Sequence, residues 1–328
     1  MKQRSIVGTW VSEIGLGCMN LSHAYGTPPA ETEAIGLLEK ALELGVTHFD
    51  TAALYGFGNN EKLVGKVLKP HRERIFLASK CGMRGINGKR IIDGSPKAIR
   101  ETIEQSLLSL QTDVLDLYYL HRWDKSIPIE ESVGELSRLV TEGKIKGIGL
   151  SEVSAVTLRK AHAEHPISAL QAEYSLWTRN PEIACLETCL ELGTAFVAFS
   201  PLARGFLSGD ITDSSGFLDN DIRKNMPRFQ SENLSKNLNL LEQLRTIAEE
   251  HECTLSQLSL AWLLHQGPHV LPIPGTTQIA HLKENMRASK IVLTPEELIK
   301  LEKIFEPSKI AGGRYPVATQ LEIDTEEF

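Results

Sequence analysis

The chain contains no apolar run long enough to span a bilayer, and its opening residues, Met1-Lys2-Gln3-Arg4, lack the apolar core of a secretory signal. Both absences lead us to expect a cytoplasmic protein without a membrane partner. Cysteine is scarce. Five cysteines in 328 residues, an odd number without framework spacing, exclude a disulfide scaffold and fit free thiols in a reducing compartment. Cys185 and Cys189 lie four apart on an expected helix, but no third and fourth ligand has suitable spacing, so we read them as buried thiols and expect no metal. A surplus of positive charge is also missing: the formal net charge is -7, which argues against a nucleic-acid surface. No composition break marks a linker, so residues 1–328 are expected to form one domain. What remains, 41% hydrophobic and 23% charged residues, describes an ordinary globular chain.

Its pattern is repetitive. Residues 2–13 read as two short strands about Gly8-Thr9, a hairpin suited to covering the bottom of a core. Residues 14–19 read as a first strand, and Ile35, Leu38 and Leu42 give helical spacing over 30–44. A strand over 46–49 and a helix over 60–68, stopped by Pro70, come next. The apolar run 74–79 precedes a helix that starts at Ser95-Pro96 in N-cap and N1 fashion, with Ile99, Ile103, Leu107 and Leu110 on one face. Strands over 114–120, 144–150, 167–170, 194–199 and 269–274 alternate with helices over 128–141, 154–162, 181–192, 238–250, 255–265, 279–287 and 295–305. Alternating units of this kind imply a parallel sheet with helices outside, and eight continuous apolar strands favour closure. The expected fold is α/β: a (β/α)8 TIM barrel with an N-terminal β-hairpin and extra C-terminal helices, a form that typically needs ~250 residues. One long polar insertion, 204–236, follows the seventh strand and reads as a lid on the active face.

Five consecutive strands end in polar groups: Asp50, Lys80, His121, Ser151 and Gln171. Each alone has a bland reading. An Asp after a strand often caps a helix, a Lys there often sits at the rim, and a lone His is usually structural. Together they are hard to dismiss, because a barrel gathers its strand ends around one axis, where buried polar groups can pair. Tyr55 follows Asp50 by five residues in a loop closed by Gly56. An ordinary Tyr titrates near ~10 and a Lys near ~10.4. A neighbouring ammonium favours the phenolate, so Asp50, Lys80 and Tyr55 form a plausible general acid with a lowered phenol pKa. His121 is placed to orient a carbonyl oxygen, and Ser151 and Gln171 to hold a carboxamide. A proton donor and a carbonyl orienter lack only a hydride, and nicotinamide carries a carboxamide.

Asp-Thr-Ala-x-x-Tyr-Gly at 50–56, with Lys80 and His121 at the next strand ends, resembles the aldo-keto reductases. The resemblance extends over Gly-Leu-Ser at 149–151, Gln171, Phe-Ser-Pro-Leu at 199–202 and Pro-Ile-Pro-Gly-Thr at 272–276. Arg204-Gly-Phe-Leu-Ser-Gly and the Ala311-Gly-Gly-Arg-Tyr-Pro tail look like a bacterial or fungal general group of that family. It implies reduction of a small carbonyl compound by NAD(P)H in a monomer-sized barrel, an oligomer not being excluded. Tyr55 becomes the acid, Lys80 and Asp50 its tuning pair, and His121 the carbonyl orienter. Ser151 and Gln171 fall on the carboxamide, Phe199 on the nicotinamide face, and Ser200, Leu202 and Arg204 on the pyrophosphate. Gly275, Thr276 and Gln278 fall near the 2′-phosphate, and Glu284 and Asn285 by the adenine. Met19, Tyr25, Leu54, Trp123 and Trp177 lie on expected active-face loops and could line an apolar aldehyde pocket, Met19 being counted also on the cofactor side.

Two departures matter. The family often has Asn where this chain has Glu152, which cannot donate to an amide oxygen when ionised, so Glu152 stays outside the expected site. The 275–278 turn, Gly-Thr-Thr-Gln, carries no cation, with His281 a turn later. NADPH is the expected cofactor, NADH the alternative, with a smaller margin than a Lys/Arg clamp gives. Two other functions stay open: a lyase that forms a Schiff base on Lys80, and a nucleotide-holding regulatory barrel with little turnover.

Overall fold

The computed structural model describes residues 2–86 and 88–328; Met1, part of the amino-terminal stretch read above, and Asn87 lie outside the described residues. A hairpin of β1 (Gln3–Ile6) and β2 (Thr9–Ser12) is followed by β3 (Leu16–Gly17), α1 (Glu31–Glu43), β4 (His48–Asp50), α2 (Asn59–Leu68) and β5 (Phe76–Cys81). A second hairpin, β6 (Met83–Ile86) and β7 (Lys89–Ile92), precedes α3 (Pro96–Leu110), β8 (Leu117–Leu120), α4 (Ile129–Thr141), β9 (Ile148–Ser151), α5 (Ala155–Glu164) and β10 (Ile167–Glu173). Then come α6 (Cys185–Leu192), β11 (Ala195–Phe199), α7 (Ser231–Glu250), α8 (Leu255–His265), β12 (Val270–Pro272), α9 (Ile279–Arg287), α10 (Pro295–Ile304) and α11 (Val317–Gln320).

Eight strands form one sheet in the order β3-β4-β5-β8-β9-β10-β11-β12, every pair parallel. The ring closes where Gly15 N–H donates to the Pro272 carbonyl (3.0 Å) and Gly17 N–H to that of Pro274 (3.3 Å). The fold is the expected (β/α)8 barrel. Its interior is a packed cluster that includes Phe76, Ala78, Leu117, Tyr119, Ala169 and Val197. Ile6 and Val11 of the first hairpin belong to the same cluster, so the hairpin plugs the bottom of the barrel. Burying a side chain of this size contributes roughly 1.5–3 kcal/mol. The helices pack outside by one apolar face. In α3, Ser95 Oγ accepts from Ala98 N–H, Pro96 starts the first turn, and Ile99, Ile103 and Leu110 are buried. Gln111, at φ 54°, ends it in the left-handed region.

Some boundaries differ from the sequence reading. Pro70 does not stop the chain's winding after α2: the helix does end at Leu68, ahead of Pro70 as expected, but residues Lys69–Arg74 wind on as a 3₁₀ turn with the proline in its first turn, where a missing N–H costs nothing. Pro181 opens only a short 3₁₀ turn, and α6 starts at Cys185. The β6–β7 hairpin was not expected. The 204–236 insertion is shorter than it looked: α7 begins at Ser231, and 3₁₀ turns occupy Ala203–Ser208, Ile222–Asn225 and Pro227–Phe229. What remains crosses the top of the barrel. Ile222 N–H donates to the Ala24 carbonyl (2.9 Å), Asn220 Nδ2 to the Gly26 carbonyl (3.1 Å), and the Arg223 guanidinium lies 4.9 Å from the Tyr25 ring centroid.

Candidate active site

Strand side chains alternate between faces, so residues two apart share one face. On β5, Phe76 and Ala78 fill the barrel interior, which makes Lys80 the next inward residue. The same count takes β8 from Leu117 and Tyr119 to His121, β10 from Ala169 to Gln171, and β4 from His48 to Asp50. The polar groups are thus the top layer of the same stack, whose lower layers are apolar apart from His48.

Lys80 is fully buried, at 0% exposure. Its ammonium pairs with Asp50, donates to the Thr51 carbonyl (2.8 Å) and reaches the Tyr55 hydroxyl at 3.3 Å. Gln171 Nε2 donates to the other Asp50 oxygen (2.8 Å). The loop carrying Tyr55 is pinned from beneath: Thr51 Oγ1 meets Asn60 Oδ1 at 2.6 Å, and Asn60 Nδ2 donates to the Cys18 carbonyl and Ser22 Oγ, both at 2.8 Å. Gly56 permits this close approach, since a Cβ there would fall 2.8 Å from Ser22 Cβ at φ 54°. The Tyr55 and His121 rings meet edge-on at 5.7 Å.

The electrostatics correct one expectation. Burial is the largest influence on the Tyr55 phenol and raises its pKa; Lys80 opposes this without reversing it, so the pKa lies above the ordinary value, not below it. Burial pulls the Lys80 ammonium down, but the charges of Asp50 and Tyr55 outweigh it and the net direction is up. Burial first, then Lys80 and Arg122, hold the His121 imidazole well below its usual range, so it is neutral near pH 7.

Above this layer opens a cavity of about 940 Å³. Asp50, Tyr55, His121, Ser151 and Gln171 reach its wall, and Lys80 lies directly beneath. Met19, Tyr25 and Leu54 line it, as do Phe199, Ser200, Leu202 and Arg204. So do Gly275, Thr276, Glu284 and Asn285. Three expected residues do not. Trp177 is buried elsewhere, stacked on Phe206 at 4.0 Å, because a large ring on a loop gains more from core contact than from an open wall. Trp123 turns its indole N–H to the Ile127 carbonyl (2.9 Å) and packs against the outer core. Gln278 is the N-cap of α9, where its backbone N–H donates to Thr276 Oγ1 (3.0 Å).

Arg204 differs from expectation in its pairing. Its guanidinium turns inward to Glu173 (2.7 Å) and the Tyr315 hydroxyl (3.0 Å). Arg314 joins them, donating to Glu152 (2.7 Å) and lying 3.5 Å from Glu173. This explains Glu152, whose carboxylate serves a C-terminal arginine 162 residues away. Burial alone would raise the Glu173 carboxyl, yet Arg204, Arg314 and Arg228 hold it down at about 2. Sequence reasoning also missed Arg90, His23 and Arg122, all of which line the cavity. Arg122 had a visible signal, directly following His121. Arg90 had none, since its hairpin was not foreseen. Cys185 and Cys189 are free and buried.

The Aldo/keto reductase family profile matches residues 13–306. The chain is 46% identical over 315 residues to probable aldo-keto reductase 1 of Glycine max, covering 94% of this chain and 89% of that one. Among solved structures it is similar to a glycerol dehydrogenase from Gluconobacter oxydans, with a TM-score of 0.85 and 27% identity over 93% of this chain and 95% of that chain. It is likewise similar to an aldo/keto reductase from Klebsiella pneumoniae in complex with NADP and acetate, with a TM-score of 0.73 and 28% identity over 96% of this chain and 99% of that chain. A profile match over most of the chain, and a relative this close over nearly all of it, leave no competing assignment: the chain belongs to the aldo/keto reductase family.

Proposed function

We propose that this chain reduces aldehydes or ketones to alcohols with NADPH, Tyr55 being the proton donor. The observation that carries this reading is the buried Lys80 ammonium 3.3 Å from the Tyr55 hydroxyl, at the wall of the cavity. Bound NADPH would supply the hydride, and the similar Klebsiella pneumoniae enzyme was solved with NADP. The residues suit that cofactor. Ala203, Arg204 and Gly205 have consecutive positive φ values of 50°, 58° and 91°, the kind of backbone concavity that holds phosphates. Gly275 leaves room where a Cβ would sit 2.7 Å from Asn20 Oδ1. Ser151, Phe199 and the carbonyl oxygen of Gln171 offer the nicotinamide end its contacts.

Tyr55 donates to the carbonyl oxygen as charge builds there. Its raised pKa keeps the proton on the phenol at neutral pH, ready for transfer. Lys80 then faces the nascent phenolate, and Asp50 keeps that ammonium oriented. Neutral His121 offers an N–H to the same oxygen without adding a second cation. The cofactor preference rests on weaker ground than a clamp: His281 lines the cavity, but residues 275–278 carry no cation. The Schiff-base alternative is disfavoured, because the Lys80 amine is sealed and triply held. The test follows NADPH oxidation over aromatic aldehydes, dicarbonyls, sugars and pyridoxal. Turnover in wild type that disappears in Tyr55→Phe is expected. Binding of NADPH with no oxidation by any carbonyl would favour the regulatory barrel instead.

A further inference from the structure

Among the described residues, the deeply buried guanidiniums meet a carboxylate or spread their donors over several acceptors, and Arg122 does neither. Arg204 and Arg314 meet the carboxylates of Glu173 and Glu152. Arg228, which has no carboxylate, donates to the Gly312 carbonyl (3.2 Å), to Thr178 Oγ1 (2.8 Å) and to the Trp177 carbonyl. Arg122 has neither arrangement. It is only 8% exposed, and a single nitrogen, Nη1, makes both its hydrogen bonds, to the His121 carbonyl (2.7 Å) and Ser151 Oγ (3.3 Å). Its Nε is buried without a partner, as is that of Arg314, but Arg314 has its charge met by Glu152. No carboxylate of the described residues pairs with it.

A guanidinium carries five donors and keeps its charge. Leaving such a group buried without a counter-ion is costly, and the cost is tolerable where a ligand supplies the counter-ion. Arg122 borders the catalytic cavity, whose wall it forms beside His121. The neighbours add hydrogen-bond donors rather than a counter-ion, burial lowering the His23 pKa and so favouring its neutral form. Arg90 lines the same cavity from the β6–β7 hairpin, held at the rim by Glu322 (2.5 Å), and His23 lines it with Nδ1 buried and unpartnered. The one carboxylate at the Tyr55 end, Asp50, is consumed by Lys80 and Gln171.

Resting on the reductase reading above, we infer that the substrate carries a carboxylate, and that Arg122 receives it while His121 and Tyr55 hold the carbonyl oxygen. Arg122 is then the specificity-determining residue for short oxo acids and aldehyde acids. A planar carboxylate matches the guanidinium fork in a way that a neutral aldehyde cannot.

The experiment compares kcat/KM at saturating NADPH for size-matched pairs: succinate semialdehyde against butanal, and 2-carboxybenzaldehyde against 2-methylbenzaldehyde. Wild type is expected to favour the charged member of each pair. Arg122→Gln should lower that preference by about tenfold to a hundredfold, the range set by one charged hydrogen bond, and Arg122→Lys should recover part of it. Should Arg122→Gln fail to fold, inhibition of wild type against a neutral aldehyde gives the same reading: benzoate and acetate should compete, and benzamide and acetamide should not. Equal use of both members by wild type overturns the inference. So does a variant that slows both equally while binding NADPH more weakly, because Arg122 would then serve the cofactor's carboxamide. Activity on neutral carbonyls alone sinks only this inference; activity on neither set sinks the reductase reading and this one with it.

Discussion

Replacing Lys80 by Met tests the buried pair and the acid in one variant. The side chain lengths are similar, so the change removes mainly charge. Three contacts disappear: the ion pair to Asp50, the donation to Thr51 O at 2.8 Å and the approach to Tyr55 at 3.3 Å. Gln171 still donates to Asp50, but one neutral hydrogen bond does not replace a counter-ion. Breaking such a pair by removing one partner costs about 3–5 kcal/mol. A lone buried carboxylate takes up a proton as the chain folds, so the deficit should grow as pH rises, by up to about 1.4 kcal/mol per pH unit for one proton. Removing the second charge with Asp50→Asn should recover much of the loss, so the double variant is expected to be more stable than Lys80→Met alone. Urea unfolding at several pH values measures all three proteins. In parallel, the pH–rate profile of aldehyde reduction should lose its alkaline limb or move it upward, since Lys80 is what opposes burial at the Tyr55 phenol. An unchanged unfolding midpoint with no pH dependence, or a double variant worse than both singles added, would refute the electrostatic account of this centre.

Other outcomes follow from the same structure. Tyr55→Phe should lower kcat by roughly 10²–10⁴-fold while NADPH affinity, read by fluorescence titration, stays within a few fold; retention of more than a tenth of the rate means another group is the acid. Glu173 has a folded pKa of about 2, below its unfolded value, so its contribution is present above about pH 4.5 and is lost as pH falls towards 2, about 3 kcal/mol in all; acid unfolding of Glu173→Gln should be less steep in that window, and an identical curve would be inconsistent with the pairing. Gly149→Ala should destabilise by about 1–3 kcal/mol, because its Cβ would lie 2.2 Å from Tyr119 Cδ1; a wild-type melting temperature would mean that the ring can move aside. Trypsin should cut the segment spanning 209–230 more slowly with NADPH bound, and equal rates with and without cofactor would make that segment a passive insertion.

The barrel was legible because its strands announce themselves by apolar runs and, in five consecutive strands, by the polar residue that ends the run. Asp50, Lys80, His121 and Gln171 could be placed around one axis for that reason, as the alternation of strand side chains requires. What escaped lacked a local signal. Gly82, Gly85, Gly88 and the charged pair Lys89-Arg90 hid the β6–β7 hairpin, which carries Arg90 to the cavity. The first turns of α7, Ser231-Glu232-Asn233, are too polar to stand out from the preceding loop. Glu152 and Arg314 lie 162 residues apart, and nothing in either stretch names the other. The direction of the Tyr55 shift was misjudged for a similar reason. A neighbouring ammonium can be guessed from spacing, whereas the depth of burial that outweighs it is a property of the closed barrel.

The joint between β3 and β12 gives the ring a preferred place to open. Its hydrogen bonds run one way, from Gly15 and Gly17 to the carbonyls of Pro272 and Pro274, and the prolines have no N–H to return. Every other join in the ring pairs strands without a proline facing the neighbour in this way, so zipping should finish here and unzipping start here. In hydrogen exchange, the amides of Gly15 and Gly17 should therefore open at a lower free energy than those of β8 and β9 on the opposite side. Gly275 and Asn20, which meet across the upper end of this joint, both line the cavity. A molecule lying across them would act as a staple on the weakest stave of the barrel, so that filling the site would slow exchange on the far side of the ring from Tyr119 and leave the strongest strands unchanged.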